Sequence, residues 1–157
     1  MLASLRGVVS SVVLAGRAGQ AFPEVDAPLR VDRYPGAGPL AGLEALLADP
    51  PAPWCWLVAS DMPRFDAGLL AVLAPARGEG RIVVPEVGGR LHPTCALYEA
   101  SLVDDVRRRL EAGERSLQDL IEAVPHARVS PAGALAASLF NVNEPVELSD
   151  LRSDARE

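Results

Sequence analysis

The chain has 157 residues, of which 49% are hydrophobic and 23% charged, and a formal net charge of −6. A chain of this length is one domain with room for a buried core. No basic face accompanies the acidic balance, which argues against a nucleic-acid partner, and no apolar run approaches the ~20 residues of a membrane span, which argues against a membrane protein.

Leu2, Leu5 and Val9 share one face of a short helix, which Gly7 weakens. Ser11 to Ala15 reads as a strand that Gly16-Arg17-Ala18-Gly19 ends, and residues 20–37 read as a long loop with a short strand at Leu29-Arg30-Val31. Loops of that length are usually functional or disordered. Gly38-Pro39 opens a helix to about Ala48, with Leu40, Leu43, Leu46 and Leu47 as its apolar stripe. Asp49-Pro50-Pro51 stops it. The run from Trp54 to Ser60 is continuously apolar but for its last residue, as in a buried parallel strand, and it delivers Asp61 at its carboxyl end.

A helix is expected from Asp66 to about Leu73, and a strand from Arg81 to Pro85. Gly88-Gly89 is a hairpin-type turn. His92-Pro93 leads into a strand at Thr94–Tyr98, and Ser101 to about Ala112 is a helix closed by Gly113. Ser116 caps a helix to Val124, Ala127–Val129 is a short strand, Phe140–Asn143 is a loop, and Glu144–Leu151 is a short helix before a frayed tail, 152–157. Strands alternating with helices through the first half imply βαβ units and a mostly parallel, mixed sheet in an α/β domain over 1–151.

Cys55 and Cys95 each lie within an apolar run, so they read as buried reduced thiols rather than as a disulfide framework or a zinc site. Met1 to Val13 lack a charged segment followed by a cleavage site, so the cytoplasm is the expected compartment.

Four local features carry candidate chemistry. Gly36-Ala37-Gly38-Pro39-Leu40 places small residues and free amides at a helix start, where anions bind; it also reads as a plain Gly-rich helix start. Asp61 stands at a strand's carboxyl end, the edge where open α/β sheets bind ligands, and suits Mg²⁺ and phosphate; alone it reads equally as a loop Asp or helix cap. His92 is either a ligand contact or a loop-fixing residue. Asn141 and Asn143 point the same way if extended, and an Asn carbonyl can ligate Mg²⁺; the other reading is an Asx turn and cap.

The order Gly-Pro-Leu-Ala-Gly-Leu at 38–43, Ser-Asp-Met-Pro at 60–63, His-Pro at 92–93, Gly-Glu-Arg-Ser-Leu at 113–117 and Asn-Val-Asn-Glu-Pro at 141–145 resembles the molybdenum cofactor guanylyltransferases. The resemblance covers about residues 5–151 and favours this family over the related cytidylyltransferases. It implies a Rossmann-like nucleotidyltransferase fold with three α/β/α layers, and GTP and molybdopterin as substrates with Mg²⁺. Other molybdenum cofactor biosynthesis proteins or molybdoenzymes are implied as further partners. It implies Asp61 as the principal Mg²⁺ ligand, with Asn143 near the metal and phosphates. Asp32 would help hold GTP together with Gly38, Pro39 and Leu40, and His92 and Asn141 would lie toward the pterin.

The family opens with a strand and a glycine-rich loop whose Lys and Arg offset the triphosphate charge. Val13-Leu14-Ala15-Gly16 matches that opening in its first letters only, and the chain contains no lysine. The segment aligns instead with the family's second strand, which sets Leu14 where the family has a guanine-site Asn. The expected architecture therefore lacks the first βα unit, leaving a gap between the strands at 11–15 and 54–60. Three readings follow: an impaired guanylyltransferase, a non-catalytic relative binding nucleotide or a partner protein, and an unrelated small α/β binding module.

Overall fold

The computed structural model describes residues 1–140; Asn141, Asn143, the expected helix at 144–151 and the tail 152–157 lie outside them. Helix α1 (Leu2–Arg6) precedes strands β1 (Leu14–Gly16) and β2 (Leu29–Val31), helix α2 (Pro39–Leu47) and strand β3 (Trp54–Trp56). Then come α3 (Leu69–Leu73), β4 (Ile82–Val87), β5 (Arg90–Leu91) and β6 (Leu97–Glu99). Helices α4 (Val103–Glu111) and α5 (Leu117–Ala123), strand β7 (His126–Val129) and helix α6 (Gly133–Ala137) follow.

β4 is the organising strand. Its Ile82-Val83-Val84 run is β-branched and fully buried, which suits a strand covered on both faces. β6 pairs antiparallel with β4 on one side, β7 pairs parallel on the other, and β5 folds back on β4's end through Gly88-Gly89. Both turn glycines have positive φ, 59° and 78°, as a two-residue hairpin turn of this hand requires. β3 pairs antiparallel with β6, giving the order β3-β6-β4-β5 with β7 also on β4. β3, β4 and β7 thus run one way with β6 reversed between them. The sheet is mixed, as expected, with more antiparallel pairing than a mostly parallel order implies.

Successive side chains leave opposite faces of this sheet. Cys55, Ile82, Val84 and Tyr98 point into a cluster with Leu40, Leu43 and Leu47 of α2, Val106 and Leu110 of α4 and Leu117, Leu120 and Ile121 of α5. Val83, Leu97 and Ala127 point the other way, against Leu73 of α3, with Trp54 and Trp56 beside them. Helices therefore cover both faces, the three α/β/α layers expected.

β1 and β2 form a separate two-stranded parallel sheet, and among the described residues no strand joins β1 to β3. α2 bridges the two sheets: its leucines enter the main core, while a Cβ at Gly42 would stand 3.8 Å from the Ala15 Cβ.

Two local expectations are corrected. The strand expected from Thr94 starts at Leu97, because Pro93 opens a 3₁₀ turn through Cys95. The helix expected from Asp66 starts at Leu69, because the Asp66 carboxylate accepts the Gly68 N–H and holds a turn there. Ser116 does cap α5, its hydroxyl accepting the Asp119 N–H at 3.1 Å.

Gly80 marks a close approach. A Cβ there would meet the His126 Cα at 2.7 Å and the Pro125 carbonyl oxygen at 2.8 Å, all backbone atoms that cannot swing aside. The Arg81 N–H donates to that same carbonyl at 2.8 Å, so the strands cannot part without losing a bond. Gly80→Ala is expected to cost about 1–3 kcal/mol, read as a lower urea midpoint at unchanged slope; an unchanged midpoint would show that the junction yields freely.

Candidate functional site

The ladder between β3 and β6 extends past the regular strand. Trp54 faces Glu99 and Trp56 faces Leu97; the Leu57 N–H then donates to the Ala96 carbonyl (3.0 Å) and the Ala59 N–H to the Thr94 carbonyl (2.9 Å). That last bond lies two residues from Asp61 and two from His92; beyond it one strand enters the turn at Ser60–Asp61, and the other is interrupted by the 3₁₀ turn Pro93–Cys95. Two residues far apart in sequence are thereby brought to the same end of the sheet.

Asp61 is exposed in the turn that follows β3, and the next residue anchors it. Met62 is buried with Leu69, Cys95 and Leu139, packed against Phe65, Val58 and Val87. The Trp56 ring lies 5.2 Å from Phe65, and its Nε1–H donates to the Cys95 carbonyl at 3.2 Å. The carboxylate thus stands on a floor of packed apolar side chains rather than on a loose loop.

His92 is fixed from three directions. Its N–H donates to the Pro85 carbonyl (2.9 Å), its ring meets Phe140 edge-on at 5.8 Å, and its carbonyl accepts the Cys95 N–H (3.1 Å). The Tyr98 hydroxyl donates to the Pro93 carbonyl at 2.7 Å, tying the same turn to the core.

Asp32 leaves β2. Its N–H donates to the Gly16 carbonyl (2.8 Å), and its carboxylate accepts the Tyr34 N–H (2.7 Å) in a local turn. The Ala37 N–H then donates to the Tyr34 carbonyl (3.0 Å), and the chain enters α2 through Gly38 at φ 67°. Gly38 has no side-chain cap and Pro39 has no N–H; these two residues are exposed and form the part of the helix start open to solvent. Leu40 is fully buried, backbone included, so it supports the helix start from within the core. Leu14 lies half-buried in β1 with its N–H donated to Pro28 (2.8 Å), and its side chain offers no polar group. Asn141 and Asn143 lie outside the described residues.

Sequence reasoning missed one group of residues. Glu44 is fully buried on α2 and accepts hydrogen bonds from Arg33 and Arg107. The signal was a Glu four residues after Leu40 and three before Leu47, inside the apolar stripe. The Glu44 hydrogen bond, and then its charge, raise the Arg33 pKa.

Burial also sets the thiols. Desolvation pushes Cys95 up to about 12, against a smaller lowering by Trp56, and raises Cys55 and the Tyr98 phenol as well. A raised thiol pKa gives stability that is whole below the unfolded thiol's value of 9.0 and is lost as pH rises toward 12. At pH 8 neither thiol should react with a disulfide reagent until the protein unfolds, and both should then react; rapid labelling of the native chain would contradict this.

A model of the MobA-like NTP transferase domain matches residues 1–129. The chain is 32% identical to the molybdenum cofactor guanylyltransferase of Serratia proteamaculans, with 91% of this chain and 73% of that protein covered. It is also 32% identical to a Chloroflexus aggregans protein named "probable molybdenum cofactor guanylyltransferase", with 94% of this chain and 74% of that protein covered. A crystal structure of a protein from Aquifex aeolicus VF5 has the same fold, with a TM-score of 0.82 at 18% identity over 90% of this chain and 76% of that one.

Proposed function

We propose that this chain, which belongs to the MobA-like NTP transferase domain family, transfers a guanylyl group from GTP to molybdenum-molybdopterin. A phosphate oxygen of the pterin attacks the α-phosphorus of GTP, the bond to the bridging β-phosphate oxygen breaks, and pyrophosphate leaves with that electron pair. The observation that supports the reading is the β3–β6 ladder, whose last bond joins Ala59 to Thr94, two residues from Asp61 and two from His92.

Nucleotidyl transfer asks a protein for positioned charge rather than covalent chemistry. In this reading the exposed start of α2 at Gly38 meets phosphate oxygen, and Asp32, held by its turn, contacts the nucleotide. His92, fixed by Pro85 and Phe140, faces the pterin with Asn141. Asp61 and Asn143 are the proposed metal ligands.

The donor chemistry at Asp61 suits Mg²⁺, which prefers oxygen and takes one or two carboxylates plus substrate phosphates and water. When bound, Mg²⁺ neutralises phosphate charge.

One observation favours a second reading, a nucleotide-binding protein without transfer. The turn after β1, Arg17-Ala18-Gly19-Gln20, carries a single cation, and β1 stands apart from the main sheet. The protein incubated with GTP, Mg²⁺ and molybdopterin decides between them. The first reading expects pyrophosphate and molybdopterin guanine dinucleotide in equal amounts; GTP binding without pyrophosphate would establish the second.

A further inference from the structure

Among the described residues Glu44 is the charged side chain without solvent exposure. It lies on α2 between core residues Leu43 and Ala45. Arg33 grips it side-on: Nη2 donates to Oε1 and Nε to Oε2 at 3.3 Å. Arg107 reaches over from α4, its Nε donating to Oε1 at 2.8 Å, and its other end lies 3.6 Å from Asp104.

Removing a carboxylate from water is costly, and apolar replacements often serve packing equally well. The pair therefore calls for a purpose beyond filling space, and its connections suggest one. Arg33 belongs to no helix or strand; it is the residue after Asp32, at the head of the loop whose amides at Tyr34 and Ala37 are locally bonded. That loop ends at Gly38, the start of α2. A two-pronged arginine gripping a carboxylate on a rigid helix holds direction as well as distance, which a single lysine contact cannot do.

We propose that Glu44, acting through Arg33, is the positioning residue of the Asp32–Gly38 loop and holds it in the conformation that receives a nucleoside triphosphate. The nucleotide half of this inference rests on the guanylyl-transfer reading; the loop half does not.

The test compares Arg33→Ala and Arg33→Lys with Arg81→Ala. Arg81 ties Glu99, Ser101 and Asp105 together at the start of β4, the end of the sheet away from Asp61. Its loss supplies a destabilised reference. GTP with Mg²⁺ is titrated by calorimetry, and hydrogen exchange is followed at the Tyr34 and Ala37 amides.

Arg33→Ala is expected to weaken GTP binding about tenfold and to speed exchange at both amides, with Arg33→Lys intermediate. Arg81→Ala is expected to lower the melting temperature while leaving both readouts unchanged. If Arg33→Ala and Arg81→Ala behave alike in both, Glu44 serves stability alone and the inference fails. If the wild-type chain binds no GTP, the guanylyl-transfer reading falls. Exchange then decides the loop half alone: faster exchange in Arg33→Ala but not in Arg81→Ala sustains it, and equal exchange overturns it.

Discussion

Asp61→Asn is expected to lower guanylyl transfer by about 10²–10³-fold while leaving the fold intact. The side chain is exposed in the turn after β3, and asparagine keeps its size and one oxygen while removing its charge. Exposed substitutions away from packing features usually shift stability by about ±0.5 kcal/mol, which for a domain this size is roughly 1–2 °C in melting temperature. The assay is pyrophosphate release across a range of Mg²⁺ concentrations, with the melting curve as control. Full activity in the variant would remove Asp61 from the site. Loss of activity together with the melting transition would trace the effect to the Met62 floor instead.

The largest stability effect is expected at Tyr98. It is fully buried, lies in the core shared by α2, α4 and α5, and reaches the Pro93 carbonyl with its hydroxyl. Truncating an aromatic of this kind to alanine costs about 3–5 kcal/mol, or roughly 6–20 °C for a domain of this length. Tyr98→Phe separates packing from the hydrogen bond and should cost about 1 kcal/mol. Its more informative effect is on the turn next to His92, which loses its tie to the sheet. If the phenylalanine variant matches wild type in stability and in Cys95 amide exchange, the hydroxyl contributes nothing to holding that turn.

Much of this architecture was legible because each element carries one dominant signal. Pro39 at a helix start, the Gly88-Gly89 turn and the Ser116 cap are local chemistry, and local chemistry survives the lack of a partner. Cys55, Ile82 and Tyr98 read as strand because each lies within or at the end of an apolar run, 54–59, 82–85 and 95–98. Pairing did not read out. β6 runs against β3 and β4, and nothing in Leu97-Tyr98-Glu99 announces direction, because a strand covered on both faces looks the same either way. α6 was not foreseen because Gly133-Ala134-Leu135-Ala136-Ala137 has only one bulky apolar residue to mark a face. Asp61 and His92 were each visible as candidates, but that both follow from one ladder, two residues past its Ala59–Thr94 bond, is supplied only by the fold. Glu44 was overlooked for a related reason: a single acid in an apolar stripe has no meaning until its two arginines are located.

The separation of β1–β2 from the main sheet also governs how this protein behaves in the tube. β1 and β3 each present, among the described residues, a strand edge with no backbone partner, and their flanking residues Val12, Val13, Val58 and Ala59 are apolar and only half-covered. No lysine guards either edge, and Val31 adds an exposed apolar side chain on β2. Such edges are templates for another strand, and natural sheets usually blunt them with charge or proline. With a net charge of −6 as the principal restraint, colloidal stability rests on electrostatic repulsion, which salt screens. Concentrated, high-salt or acidified solutions are therefore where chains add to one another edge to edge, and dilute, low-salt solution above neutral pH is where they stay apart.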